Sequence, residues 1–268
     1  MTKKTIADLK TEITDNIANN VTGDITAAHV RGAMINMIDS LSAVSGWCSY
    51  TDTQYPTSGS PFTVLANTDT IIPNNAATKE EANIPPDIPA FYSPQSLLYD
   101  GGSTLFEGGD TVTGGTSGAT ATVLAVGGDA TSGTLFLTGV SGVFLNNEGI
   151  TSSNGSALAN GTLGGGRILG KSHDGLDSLI YFKAEPTNDT QWMDIWVDIG
   201  GAVGELYRQT FSFPKGSGVE RGVSYALPSA YTLGTWAANG GKLYCRSSHD
   251  LEIYGLHFNF DRTYKADI

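Results

Sequence analysis

The sequence predicts a mainly β protein: a short, coiled-coil-like helical segment at the N-terminus, then an antiparallel jelly roll or β-sandwich interrupted by a small inserted β domain. Three observations point there. Glycine supplies 34 of 268 residues while charged residues make up only 16%, a composition of turns and short strands. From Trp47 onward, runs of alternating apolar and polar residues are separated by Gly, Pro, Asn and Thr, the period-2 pattern of half-buried strands. Helical periodicity is confined to residues 1–46.

In that first segment Ile6, Leu9, Ile13 and Ile17 recur at steps of three and four, on one face of a helix. Thr5 with Asp8 is a capping-box-like start, and Gly23 a stop. A second helix, capped by Thr26, carries Val30, Met34, Met37, Leu41 and Val44 in alternating steps of four and three, the a/d seam of a coiled coil. Gly46 is the expected end. A seam this short is marginal alone, so it must pack on another copy or another element.

Residues 47–96 read as the opening strands of the sandwich: Trp47–Tyr50, Phe62–Leu65 and Thr70–Ile72, the last closed by the turn Pro73-Asn74-Asn75. Ile84–Pro89 holds too many prolines for a central strand and reads as an extended loop. Residues 97–168 turn rich in Gly, Thr, Ser and Ala and contain a repeat. Phe106–Thr113 aligns with Phe144–Thr151 at a spacing of 38 residues, and at that spacing Ala119 and Ala121 fall on Ala157 and Ala159. Two short β units make the inserted module.

Residues 169–268 return to the sandwich. In Gln191–Gly201, Met193, Ile195, Val197 and Ile199 alternate with Trp192, Asp194, Trp196 and Asp198, so one face is core and the other carries paired indoles and carboxylates. Further strands are expected over Leu206–Phe213, Leu243–Cys245 and Leu251–Phe260.

Composition also excludes classes of function. With 15 Lys+Arg against 27 Asp+Glu, a net charge of −12, the chain has no broad basic surface for nucleic acid or anionic membrane. No apolar core follows Lys3-Lys4 as a secretory signal requires, and no apolar run approaches the roughly 20 residues that span a bilayer, so a soluble protein is expected. Cys48 and Cys245 lack metal-knuckle spacing and read as small buried residues.

No catalytic pattern is expected to operate, and no cofactor. Ser172-His173-Asp174 and Ser248-His249-Asp250 hold the residue types of a hydrolase triad, but consecutive residues on an extended chain point apart. His29, His173, His249 and His257 show no metal-ligand spacing. Leu163-Gly164-Gly165-Gly166-Arg167 lacks the Lys-Ser/Thr of a phosphate loop and reads as a linker. The Trp192/Asp194/Trp196/Asp198 face is the sharpest binding candidate: indole planes beside carboxylates suit the apolar faces and hydroxyls of a glycan, and equally suit packing against a neighbouring sheet or subunit.

Residues Asn16–Thr26, continuing through Arg31 to Ile35–Leu41, resemble the start of tail-fibre and head-fibre proteins of tailed bacteriophages. Trp47–Asp52, Asp198–Gly201, Ala238–Gly241 and the strand around Ile253-Tyr254 resemble the phage relatives of the tumour-necrosis-factor-like jelly roll, and Val112–Ala121 is similar to a small β module of other phage structural proteins. The resemblance implies a non-enzymatic homotrimer in the virion, assembled in the reducing bacterial cytoplasm, with free thiols. Its implied partners are its own copies, other virion proteins of capsid, portal/adaptor or tail, and host surface glycans. A tail-fibre-like attachment role is the first expectation and a capsid-decorating head fibre the second. A glycan-degrading depolymerase would show longer repeated coils than the two copies here.

Overall fold

The computed structural model describes residues 45–82, 90–172, 174–189, 191–213, 217–232 and 234–263, and single residues 11, 30, 32 and 34. Apart from Thr11, which is helical, the expected first helix lies outside the described residues, as do most of the second and the Ile84–Pro89 loop.

Eighteen strands are described. The first five are β1 (Ser45–Thr51), β2 (Phe62–Val64), β3 (Thr70–Ile71), β4 (Thr78–Ala82) and β5 (Tyr92–Ser93). A second group follows: β6 (Gln95–Thr104), β7 (Thr111–Gly114), β8 (Thr120–Gly128), β9 (Gly133–Ser141), β10 (Gly149–Thr151) and β11 (Ser156–Ala159). The last are β12 (Arg167–Ile168), β13 (Asp174–Pro186), β14 (Gln191–Asp198), β15 (Glu205–Phe213), β16 (Arg221–Thr232), β17 (Lys242–Ser247) and β18 (Leu251–Thr263), with helix α1 (Gly234–Asn239) before β17. Ser45 and Gly46 therefore pair with Thr263 and Arg262 in β1, where the sequence placed the end of a helix.

Two antiparallel sheets face each other. The larger runs β16-β13-β18-β1-β4 with β2 beside β18, and the smaller runs β15-β14-β17-β3. Leaving aside β2 and β4, the sandwich strands in chain order pass from one sheet to the other at every step but one, the β14–β15 hairpin within the smaller sheet, which is the double Greek-key order of a jelly roll. Alternation drives the packing: Ile180 and Phe182 of β13 and Ile195 and Val197 of β14 point into one core with Tyr225, Phe258 and Trp236. The inward set on β18 switches from Leu251 and Ile253 to Leu256, Phe258 and Phe260. A bulge at this point lets Gly255, at φ +62°, absorb the change of register. The fully buried Arg262 guanidinium is paired with the equally buried Asp174 carboxylate, so neither charge is left uncompensated in the core.

Strands β6 to β11 close into a barrel, in the order β10-β11-β6-β9-β8-β7. The repeat explains the closure. Leu97 lies opposite Leu135 and Thr113 opposite Thr151. Each pair consists of residues 38 apart in sequence, so a local twofold axis passes through both. Beyond the hairpin turns the relation changes. Val112 pairs with Ala121 and Ile150 with Ala157, so the residue equivalent to Ala121 in the second copy is Ala157 and not the Ala159 that a constant spacing gives. The second copy has the shorter turn.

Two buried carboxylates occupy equivalent places in the copies and cross over between them. Asp110 accepts the Glu107 N–H (3.0 Å) and holds the other copy's turn through the Ser152 hydroxyl (2.7 Å) and the Asn154 amide (2.7 Å). Glu148 accepts the Leu145 N–H (2.6 Å) and holds the first copy's turn through the Ser117 N–H (2.9 Å) and hydroxyl (2.8 Å). Gly114 is required here, because a Cβ would sit 2.7 Å from both Glu148 oxygens. Burial pushes both carboxyl pKa values up, but the hydrogen bonds outweigh it and hold them below the ordinary range.

The strand pairings put the ends of the insertion at Gln95 and Ala159, inside the expected 97–168 segment at its C-terminal side and just before it at the other. Between barrel and sandwich lies a neck where β5 pairs with β12.

Replacing Glu148 with Ala is expected to cost about 1–3 kcal/mol and to remove hydrogen-exchange protection at Thr116 and Ser117, whereas Asp110→Ala releases the Ser152–Gly155 turn instead. Both carboxyl groups have depressed folded pKa values, so their contribution is present above the unfolded value of about 4 and is lost as pH falls through the lower folded one. Barrel amides should therefore lose protection on acidification, and in a double Asp110→Asn/Glu148→Gln variant this pH dependence should disappear.

Candidate functional site

The tryptophan-carboxylate face lies on the outer surface of the smaller sheet. In β14 the outward residues are Trp192, Asp194, Trp196 and Asp198, and the neighbouring outward residues on β17 are Tyr244, opposite Trp196, and Arg246, opposite Asp194. Only part of this face is open. Trp196 is 4% exposed, stacked on Tyr244 at a centroid distance of 5.6 Å and an interplanar angle of 17°. Its ring is covered by the Arg208 guanidinium, whose Cζ lies 3.9 Å from the ring centroid.

A bulge in β15 aims that arginine. Val197 pairs with Leu206 and Ile195 with Gln209, so two residues, Tyr207 and Arg208, stand opposite Trp196. Tyr207 takes up the extra length at φ +54°, and its carbonyl accepts the Tyr225 hydroxyl at 2.9 Å. Arg208 then makes a forked pair with Glu205 (2.6 and 2.5 Å) and a further bond to Asp194 (2.9 Å). The hydrogen bonds from Arg208 hold the Glu205 carboxyl below its usual range, and Glu205 in turn raises the guanidinium pKa. The Asp194 carboxylate also accepts the Thr210 hydroxyl at 2.6 Å, and that of Asp198 accepts the Gly200 N–H at 2.6 Å.

The face is thus a self-satisfied stack. Trp196 has no free ring face for a sugar, and of the two indoles only Trp192 is partly open. Sequence reasoning missed Arg208 because a bulge leaves no mark in an alternating strand such as Leu206–Phe213.

Of the expected helical seam, Val30 and Met34 are described, helical in backbone and exposed. Met37, Leu41 and Val44 lie outside the described residues.

The larger sheet carries a second exposed feature. Trp47 (45% exposed) and Leu179 (48% exposed) stand on its outer face. With Ala226 and Phe260 they line an apolar groove of about 390 Å³, and Asp177 and Asp261 also line it, as a cross-strand pair.

The serine-histidine segments are resolved differently. His173 lies outside the described residues, and Asp174 is engaged with Arg262. In the other segment a turn brings His249 Nδ1 within 3.1 Å of Ser248 Oγ, closer than an extended chain would. The Asp250 carboxylate faces elsewhere and accepts the Ala66 N–H at 2.8 Å, so it does not orient the imidazole. Among the described residues no three His, Cys, Asp or Glu side chains are grouped as a metal site. Cys48 and Cys245 are buried and not joined in a disulfide, and burial pushes the Cys245 pKa up.

No family model and no curated protein matches the chain. Among solved structures, chains from infectious bursal disease virus match weakly. A Gx-strain chain has 9% identity and a TM-score of 0.19, over 82% of this chain and 70% of that one. A Gt-strain chain has 8% identity and a TM-score of 0.18, over 81% and 66%. Likeness at this level carries no argument about family or function.

Removing the arginine should uncover the indole. Arg208→Ala is expected to red-shift the Trp196 emission, isolated by difference against Trp196→Phe, and to destabilise the sandwich by about 1–2 kcal/mol. Arg208→Lys should restore only part, since an ammonium cannot stack as a planar fork. Unchanged emission would show that the guanidinium does not cover the ring.

Proposed function

We propose that the chain is a non-enzymatic structural protein of a virus particle, a homotrimer whose jelly rolls pack together while the inserted barrel is presented outward for host-surface attachment. The observation that carries this reading is the apolar groove on the larger sheet. Trp47 and Leu179 stand uncovered in the single chain, and an aromatic and an aliphatic side chain flanking one groove gain most from burial against a flat, apolar partner surface. In a cyclic trimer the contact is heterologous, so a different face of a neighbouring copy would cover the groove, and closed symmetric assembly stabilises a protein that has no disulfide.

The sandwich's strand order also fits the jelly roll implied by the resemblance of Trp47–Asp52, Asp198–Gly201 and Ala238–Gly241. These segments fall in β1 and its following turn, in the turn after β14, and at the end of α1. The position on the particle is part of the proposal, a tail-fibre-like location being preferred. Avidity from three linked copies would multiply modest contacts with host glycans.

Light scattering on the full chain is expected to give three times 28.1 kDa. Leu179→Glu should shift that mass to a folded monomer, because it removes an apolar contact and adds a third carboxylate beside the Asp177/Asp261 pair of the same groove. The same variant should lose the ability of the wild-type chain to compete with virus adsorption to host cells. A monomeric wild type would overturn the reading.

A further inference from the structure

A cleft of about 370 Å³ lies at the neck, between sandwich loops, the barrel and the glycine run 164–166. Its size falls within the range of about 300–1,000 Å³ typical of small-molecule sites. We infer that this cleft is a binding site for a neutral saccharide of one or two residues.

Its lining is an unusual set of groups. Four amide-bearing residues, Gln54, Asn74, Asn75 and Gln95, line it together with Pro73 and Pro94, and among the described residues no charged one does. Asn75 is satisfied within the loop: its Oδ1 accepts the Thr53 N–H at 3.1 Å and its Nδ2 donates to the Thr53 hydroxyl at 3.0 Å. Asn74 is not. Its Oδ1 accepts the Ala76 N–H at 2.7 Å, but Nδ2 has no protein partner although the residue is only 2% exposed. A buried, unpaired donor is destabilising unless something accepts from it.

The glycine run, expected as a linker, is held in place as one wall. Gly164 exchanges two backbone hydrogen bonds with Ser96, and the carbonyls of Gly165 and Gly166 accept from Arg167 at 2.7 and 3.1 Å. The Arg167 guanidinium thus binds the wall and does not line the cleft. At Gly166 a Cβ would lie 1.8 Å from the Tyr92 hydroxyl, so any side chain there would displace the wall.

These features select the ligand chemistry. Amides both donate and accept, as hydroxyl groups do, while proline rings offer C–H surface to the apolar face of a pyranose. Among the described lining residues a phosphate or carboxylate would find no cation, and a divalent cation no carboxylate. The site needs only the geometry of the neck, so it goes beyond the proposed virion role and stands or falls separately from it.

Saturation-transfer NMR on the full chain, with free glucose, galactose, mannose and N-acetylglucosamine and with glucuronate as the charged control, tests the site. At least one neutral sugar should receive saturation and glucuronate none. Thr138→Trp, a rim substitution, should abolish the signal with the fold retained by circular dichroism, and Gln95→Ala should weaken binding about tenfold. Trp192→Ala should leave it unchanged, separating this cleft from the tryptophan face. Absence of signal from every neutral sugar, equal signal from glucuronate, or a signal that survives Thr138→Trp would overturn the assignment.

Discussion

The structure depends on a clasp of backbone hydrogen bonds where the chain leaves the sandwich and returns to it. Tyr92–Ser93 pairs with Arg167–Ile168, and one step further out Ser96 pairs with Gly164. Because the two ends are already adjacent, a whole barrel can be inserted between β4 and β13 at little cost in loop closure to the sandwich. Side chains lock the clasp from both sides. The Ser93 hydroxyl reaches the Leu137 carbonyl in the barrel at 2.8 Å, and the buried Trp236 donates its indole N–H to the Ile168 carbonyl at 3.0 Å. Phe136, Leu169 and Ala90 form a small core of their own at the junction.

The barrel is a duplication that has been interlocked. Each copy's first strand pairs with the other copy's third, β6 with β11 and β9 with β8. Neither half can close alone, and the crossed carboxylates Asp110 and Glu148 extend the same dependence to the turns. In a module whose strands carry mostly Ala, Gly, Thr and Val, little apolar area is available per residue. Fixed turns limit the entropy that this small core must offset.

Much of this was legible in the sequence where one face of a strand is buried. Met193, Ile195, Val197 and Ile199 announced β14 by alternation, and the spacing between Phe106 and Phe144 announced the duplication. Features made by insertions of one or two residues were not. The β15 bulge that lays Arg208 over Trp196 and the shorter second hairpin that breaks the constant repeat both preserve composition and disturb only register. β16 was missed because its residues, Arg221–Thr232, mix small and polar types and include Pro228. The neck cleft was invisible for a different reason: Gln54 and Asn74 are ordinary loop residues and Gln95 merely opens β6 until the clasp brings them together.

The measurement closest to the central claim is the distance between barrel and sandwich. Nitroxide labels on Leu158→Cys in β11 and Ser212→Cys in β15, both exposed, can be placed without interference, since Cys48 and Cys245 are buried. Electron double-resonance on labelled chain diluted with unlabelled chain should give one narrow distance distribution, as a rigid clasp requires. A broad or multiple distribution would mean that barrel and sandwich move independently, and that the neck does not hold them as one body.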